Sequence, residues 1–205
     1  VKALIDEGHK VTYKLVDSDI DIILMIDPRS YNVDITFCSV DIIKYLFLKN
    51  KKALVIHRIN ECDERKNTFH MNKFLKWANY CADYTVFIAS WLKTLDLYQR
   101  DKPSKVILNG ADKQIFHNHN KKFWDGLTPI KIVTHHWYNN YNKGFEFYNE
   151  LDKIMDTRTD IEFTFICKKY CYEYKPKNIR IIGPYCGHEL AEEISKHDIY
   201  LTASK

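Results

Sequence analysis

A chain of 205 residues, 45% of them hydrophobic with only 6 Gly and 5 Pro, can bury one large core or two small ones and is that of a soluble globular protein. Its formal charge of +4 comes from 31 basic and 27 acidic side chains scattered along the chain, which disfavours nucleic acid and suits a phosphate-bearing ligand or an anionic membrane surface. Apolar runs are broken by Asp21, Asp27 and Lys44 well short of the roughly 20 residues that span a bilayer, and six cysteines without a signal-peptide pattern predict reduced thiols in a cytoplasmic compartment.

The chain opens in a helix that Gly8 ends as a C-cap, and residues 10–15 read as a short strand. Residues 20–26 form a second, apolar strand ended by Asp27-Pro28. Because Pro28 cannot donate to a ladder, Asp27 lies at the strand's carboxyl end, either facing a crevice or as a solvated turn aspartate. From Ser39, a ready N-cap, Val40, Ile43, Tyr45, Leu46 and Phe47 give a helical pattern. Residues 53–60 are a strand whose first half is apolar and whose second half carries His57, Arg58 and Asn60. A buried Arg58 is costly alone, so it either pairs with a carboxylate such as Asp63 or Glu64 or reaches into a ligand cleft.

Residues 67–82 predict a helix with Phe69, Phe74, Leu75, Ala78 and Cys81 on its core face. Strand 85–89, a short helix capped by Ser90, and strand 105–108 lead to Asn109-Gly110-Ala111-Asp112, a sharp loop whose Asn and Gly suit positive φ. This alternation is that of a Rossmann-like half. Residues 119–129 lack any period and form a linker between a first domain, 1–118, and a second, 130–205.

The second domain begins with the apolar strand Ile130, Ile132, Val133, continues through a polar aromatic loop, and reaches Lys143-Gly144 at the start of a helix marked by Phe145, Tyr148, Leu151 and Ile154. Such a strand–loop–helix unit in an open α/β sheet is where ligands bind. A lysine at a helix start opposes the helix dipole unless an anion is near, so Lys143 is placed to meet a phosphate, the alternative being a solvated lysine. Strands 161–166 and 179–182, a Gly183-Pro184 loop, helix 189–196 and strand 198–201 follow. So few strands, and a start inside a helix, predict truncation at both ends.

These residues together narrow the reading. Lys105-Val-Ile-Leu-Asn-Gly-Ala-Asp112 followed by Phe116 resembles the interdomain signature of retaining glycosyltransferases with the GT-B fold, the large family 4 group. Lys143-Gly144, the Ile181-Ile182-Gly183-Pro184 run and the final Asp198 to Ser204 are similar to that family's donor domain in order and spacing, and Glu7-Gly8-His9-Lys10-Val11 to its turn between first helix and second strand. The resemblance implies two Rossmann-like domains, and transfer of a sugar from a UDP- or GDP-sugar to a saccharide, lipid-linked or protein acceptor with retention of configuration. It implies no cofactor and no metal, and a contact with the membrane surface where the acceptor is lipid-linked. Lys143 and His136 would hold the donor diphosphate, with His136 (or His135) standing where the family places an arginine. Ile182, Gly183 and Pro184 would meet the nucleobase, Arg58 and Asn60 the acceptor or sugar, and Asn109, Gly110 and Asp112 would form the interdomain loop. The family's Glu-x7-Glu motif would lie beyond Lys205 and its glycine-rich loop before Val1, so no catalytic side chain is assigned and the fragment is expected to be inactive alone.

Two other readings compete. Cys167, Cys171, Cys186 and His188 have zinc-compatible types at irregular spacing, and His135-His136 with His117 and His119 make a second cluster, although adjacent histidines on a strand point to opposite faces. The same double scaffold also serves a non-catalytic sugar-phosphate or protein-binding module, since fold does not fix function.

Overall fold

The computed structural model describes residues 1–119, 121–137, 141–170 and 173–204. Residues 138–140 of the polar aromatic loop, Cys171 and Lys205 therefore lie outside the described residues. The chain is a mixed α/β protein that divides into two compact units, Val1–Asn109 and Gly110–Lys205, each built on a four-stranded parallel sheet. Residues 110–129, divided in the sequence reading between the first domain and a linker, cluster with the second sheet. Phe116 packs there against Val133, Ile166 and Leu190, and Lys121 Nζ donates to the Asp198 carbonyl at 2.9 Å.

The first unit runs α1 (Lys2–Asp6), β1 (Ile22–Met25), α2 (Ser39–Leu48), β2 (Leu54–Ile59), α3 (Asp63–Lys66), α4 (Met71–Ala78), β3 (Tyr84–Phe87) and β4 (Ser104–Val106), with 3-10 turns at Asn79–Cys81 and Ser90–Thr94. Its strands lie in the order β1-β2-β3-β4, all parallel. Parallel crossovers are right-handed, and an order that never reverses puts every connecting helix on the same face. Ile42 and Tyr45 of α2 and Leu75 and Ala78 of α4 accordingly share one face with Ile23, Met25, Val55, Ile59 and Phe87. The opposite face leaves Ile22, Leu24 and Leu54 exposed.

Several expectations for this unit are corrected. Residues 10–15 are not a strand: no described ladder takes them in, and side chains meet their backbone instead, the Thr12 hydroxyl donating to the Lys14 carbonyl, the Thr36 hydroxyl to that of Tyr13 and Lys49 Nζ to that of Leu15. Ser39 is not the cap of α2. Cys38 caps it in a box with Asp41, whose carboxylate accepts the Cys38 N–H at 2.9 Å, while Ser39 is buried and donates its hydroxyl to the Pro28 carbonyl. Ala89, not Ser90, caps the turn that follows β3. The helix expected over residues 67–82 starts only at Met71 and passes into the 3-10 turn after Ala78, because Asn67 adopts φ 53° and the Asp63 carboxylate caps α4 from outside, accepting the N–H groups of Met71 and Asn72. The face that α4 buries is Met71, Leu75 and Ala78, and Phe69, ahead of the helix, is exposed. Asn109 and Gly110 do not take positive φ.

The second unit runs β5 (Ile130–His136), a 3-10 turn (Tyr141–Lys143), α5 (Phe145–Ile154), β6 (Ile161–Cys167), β7 (Arg180–Ile182), α6 (Gly187–Ser195) and β8 (Ile199–Tyr200). Its strand order is β7-β6-β5-β8, so the chain reverses direction between β7 and β8, and α5 and α6 fall on opposite faces. On the α5 side Phe145, Tyr148, Phe163, Phe165 and Tyr170 form one aromatic core, with the Phe145 and Phe165 rings stacked at 5.5 Å. Each such ring contributes roughly 1.5–3 kcal/mol by leaving water. Leu190 of α6 covers Val133 and Ile166 on the other side.

Candidate functional site

In an open parallel sheet the ligand crevice lies at the carboxyl ends of the strands where the order reverses, because the loops there diverge to opposite faces. In the second unit that point falls between β5 and β8. The residues it gathers are Thr134, His135 and His136 at the end of β5, Lys143 and Gly144 before α5, and the segment 201–204 after β8.

Gly144 fixes the local geometry. It sits at φ 85° as the N-cap of α5, and a Cβ there would come within 2.5 Å of both the Cβ and the carbonyl oxygen of Ala203. Only glycine allows the start of α5 to lie against the loop after β8. Tyr148, one turn into the helix and fully buried, ties the same loop from below, its hydroxyl oxygen accepting the Ala203 N–H at 2.9 Å. That hydroxyl also lies 3.2 Å from His136 Nε2 and 3.4 Å from Thr134 Oγ1. On the neighbouring strand Tyr200 pairs its hydroxyl with His135 Nδ1 at 2.8 Å.

Burial, then the nearby charge of Lys143, then His135, push the His136 imidazole down to about 4, so it is neutral at pH 7. Burial also lowers His135. The Lys143 charge is felt at the His136 ring, and both side chains are half-buried. A cation, a neutral hydrogen-bonding imidazole and a glycine-tight loop at a helix start are a set that suits an anion.

The other predicted residues are distributed as follows. Ile182, Gly183 and Pro184 leave β7 on the same carboxyl edge, two strand spacings from β5, or about 10 Å. Gly183 has φ 88° and the Gly183-Pro184 peptide is cis. Arg58 and Asn60 belong to the first unit. Arg58 does not pair with Asp63 or Glu64, since Asp63 is engaged in capping and Asn72 Nδ2 donates to Glu64; its guanidinium donates to Asn109 Oδ1 at 2.6 Å. The Asn60 carbonyl accepts from Arg65 Nη1. Asp112 closes a turn, its carboxylate accepting the Gln114 N–H and its carbonyl the Phe116 N–H. Gly110 is exposed with open space where a Cβ would stand. Asp27 is not simply solvated. Burial pushes its carboxyl up, but hydrogen bonds from Arg29 and Asn32 outweigh that and hold it below the usual range.

Among the described residues no three His, Cys, Asp or Glu side chains converge to hold a metal ion. Cys171, one of the four zinc candidates, lies outside those residues. His117 and His119 stack on each other at 4.8 Å. The first unit has a groove of about 490 Å³ against α2, lined by Lys14, Phe37, Tyr45 and Lys49, and the second unit one of about 370 Å³ at the amino ends of β5 to β7, lined by Lys131, Arg180, Glu193 and His197. Neither is lined by a site residue expected from the sequence. No helix among the described residues is long and apolar enough to cross a membrane.

The sequence reading placed Tyr148 only on the core face of its helix and missed its hydroxyl. The available signal was chemical: a buried tyrosine needs a partner for its O–H, and Tyr148 follows Gly144 by one helical turn. Comparison of the chain with protein-family models finds no match, and comparison with curated proteins finds none either.

Proposed function

We propose that the crevice between β5 and β8 binds the diphosphate of a nucleotide sugar, and that the chain serves a glycosyltransferase that moves the sugar to an acceptor with retention of configuration. The observation that carries this reading is the convergence of Lys143, neutral His136 and Gly144 at the reversal point of the second sheet. Lys143 acts there as a point charge that stabilises the negative charge growing on the departing diphosphate. His136, in the position where an arginine would give a permanent charge, supplies one hydrogen bond instead. The loop at Ile182, Gly183 and Pro184 meets the base through its backbone, at a distance from β5 compatible with the reach from a β-phosphate to a nucleobase. Arg58, oriented by Asn109, and Asn60 take the acceptor side in the first unit. Against the alternative of a non-catalytic module, the test is turnover. UDP- and GDP-sugars are offered with saccharide acceptors, nucleoside diphosphate release is measured, and the product anomer is read by NMR. Product with the donor's anomeric configuration supports the transferase, whereas nucleotide binding with no transfer to any acceptor favours the binding module.

A further inference from the structure

The Tyr148 hydroxyl meets three groups with a single proton to give. The Ala203 N–H can only donate, so the phenol oxygen accepts there. Thr134 is fully buried, and among the described residues its hydroxyl has Tyr148 as its partner. If Tyr148 donated to Thr134, the Thr134 O–H would be left buried without an acceptor, at the cost that attends an unmade hydrogen bond. Thr134 therefore donates to Tyr148, and the phenol proton goes to the remaining neighbour, His136 Nε2, at the shorter distance of 3.2 Å. A neutral imidazole that accepts at Nε2 carries its proton on Nδ1.

We infer that Tyr148 is a positioning residue for the anion site: its hydroxyl locks His136 as the Nδ1–H tautomer, so that beside Lys143 the ring presents a donor rather than a lone pair to a phosphate oxygen, while it holds Ala203 against Gly144. The inference rests on the reading of this crevice as an anion site. An imidazole in the other tautomer would turn a lone pair toward the phosphate and repel it, which makes the lock a determinant of affinity as well as of structure. The rings of Phe165 at 5.7 Å and Tyr148 at 6.0 Å pack against the imidazole and hold its plane.

The test is long-range ¹H–¹⁵N correlation on ¹⁵N-histidine-labelled protein at pH 7, with His136→Asn used to assign the signal, alongside calorimetric titration with inorganic pyrophosphate. The wild type is expected to show His136 protonated on Nδ1. Tyr148→Phe should move the signal toward the Nε2–H form and weaken pyrophosphate roughly three- to tenfold, and Thr134→Val should leave the tautomer as it was. An Nε2–H signal in the wild type overturns the inference even if pyrophosphate binds, and needs no variant to fold. An unchanged tautomer and affinity in a folded Tyr148→Phe protein overturns it as well. An Nδ1–H signal with no pyrophosphate binding overturns the anion-site reading, and the positioning role with it.

Discussion

His57 carries the sharpest consequence of any one side chain. It is fully buried in β2, Asn79 Nδ2 lies 3.0 Å from its Nδ1, and its Nε2 has no partner among the described residues. Burial pushes its pKa down to about 3. As pH falls below the ordinary histidine value near 6.5, the unfolded chain takes up a proton that the folded one refuses until about pH 3. Stability from this group is complete above about pH 6.5 and is lost through that window, by up to about 1.4 kcal/mol per pH unit. Urea unfolding of the wild type from pH 7 to pH 4 should show that slope, and His57→Gln, which does not titrate, should reduce it by close to one proton. At the other end of the molecule's chemistry, Gly144→Ala must place a methyl where Ala203 already stands and adopt left-handed backbone. That backbone alone costs about 1–2 kcal/mol, and moving the loop adds to it, so chemical denaturation should register a larger loss than a surface alanine gives. The polarity of His57 was legible in the sequence, but its meaning was not, because the sequence places it beside Arg58 and Asn60 as one polar patch. Alternation along the strand instead turns His57 into the helix-covered face and Arg58 toward the other.

At the scale of elements, the segment 174–179 is held by one carboxylate. Asp152 of α5, almost wholly buried, accepts the Tyr174 hydroxyl at 2.8 Å and the N–H groups of Lys177, Asn178 and Ile179. Burial pushes its carboxyl up, but these donors outweigh that and hold it below the usual range, while the same bond raises Tyr174 to about 12. Asp152→Ala strands several donors around a cavity. Hydrogen bonds to a charged group are worth about 1.5–3 kcal/mol each, so a loss of roughly 3 kcal/mol or more is expected in urea unfolding, with hydrogen exchange rising first across residues 174–180. Elements whose signal is strong apolar periodicity, such as β2, β5, α5 and β6, were legible from the sequence within a few residues. The failures have separate causes. Residues 10–15 carry the alternation of a strand but pair with no described strand, and residues 67–82 carry the periodicity of one helix, whose start Asp63 sets back to Met71 through side-chain capping that periodicity does not encode.

At the scale of the whole molecule, two α/β units with parallel sheets follow from the alternation of apolar strands with helices, and that much was legible in the sequence, although it put five strands in the first unit where the sheet has four. Strand order was not readable, because crossovers of similar length serve either direction of travel along a sheet. Yet the order separates the two units: the first never reverses and covers one face, whereas the second reverses between β5 and β8, at the carboxyl edge that His136 ends and from which Lys143 and Gly144 lead into α5. Placing Lys143 at a strand–loop–helix turn was possible from sequence, while the loop after β8 that packs on Gly144 is distant in the chain and needed the fold. The central claim, a nucleoside diphosphate held by that crevice, is tested most directly by calorimetric titration of the protein and its Lys143→Ala variant with UDP and GDP. Binding of one of the two, weakened about tenfold or more by the variant, which corresponds to at least ~1.4 kcal/mol, is the predicted result. No binding of either nucleotide, or binding that Lys143→Ala leaves unchanged, would contradict it.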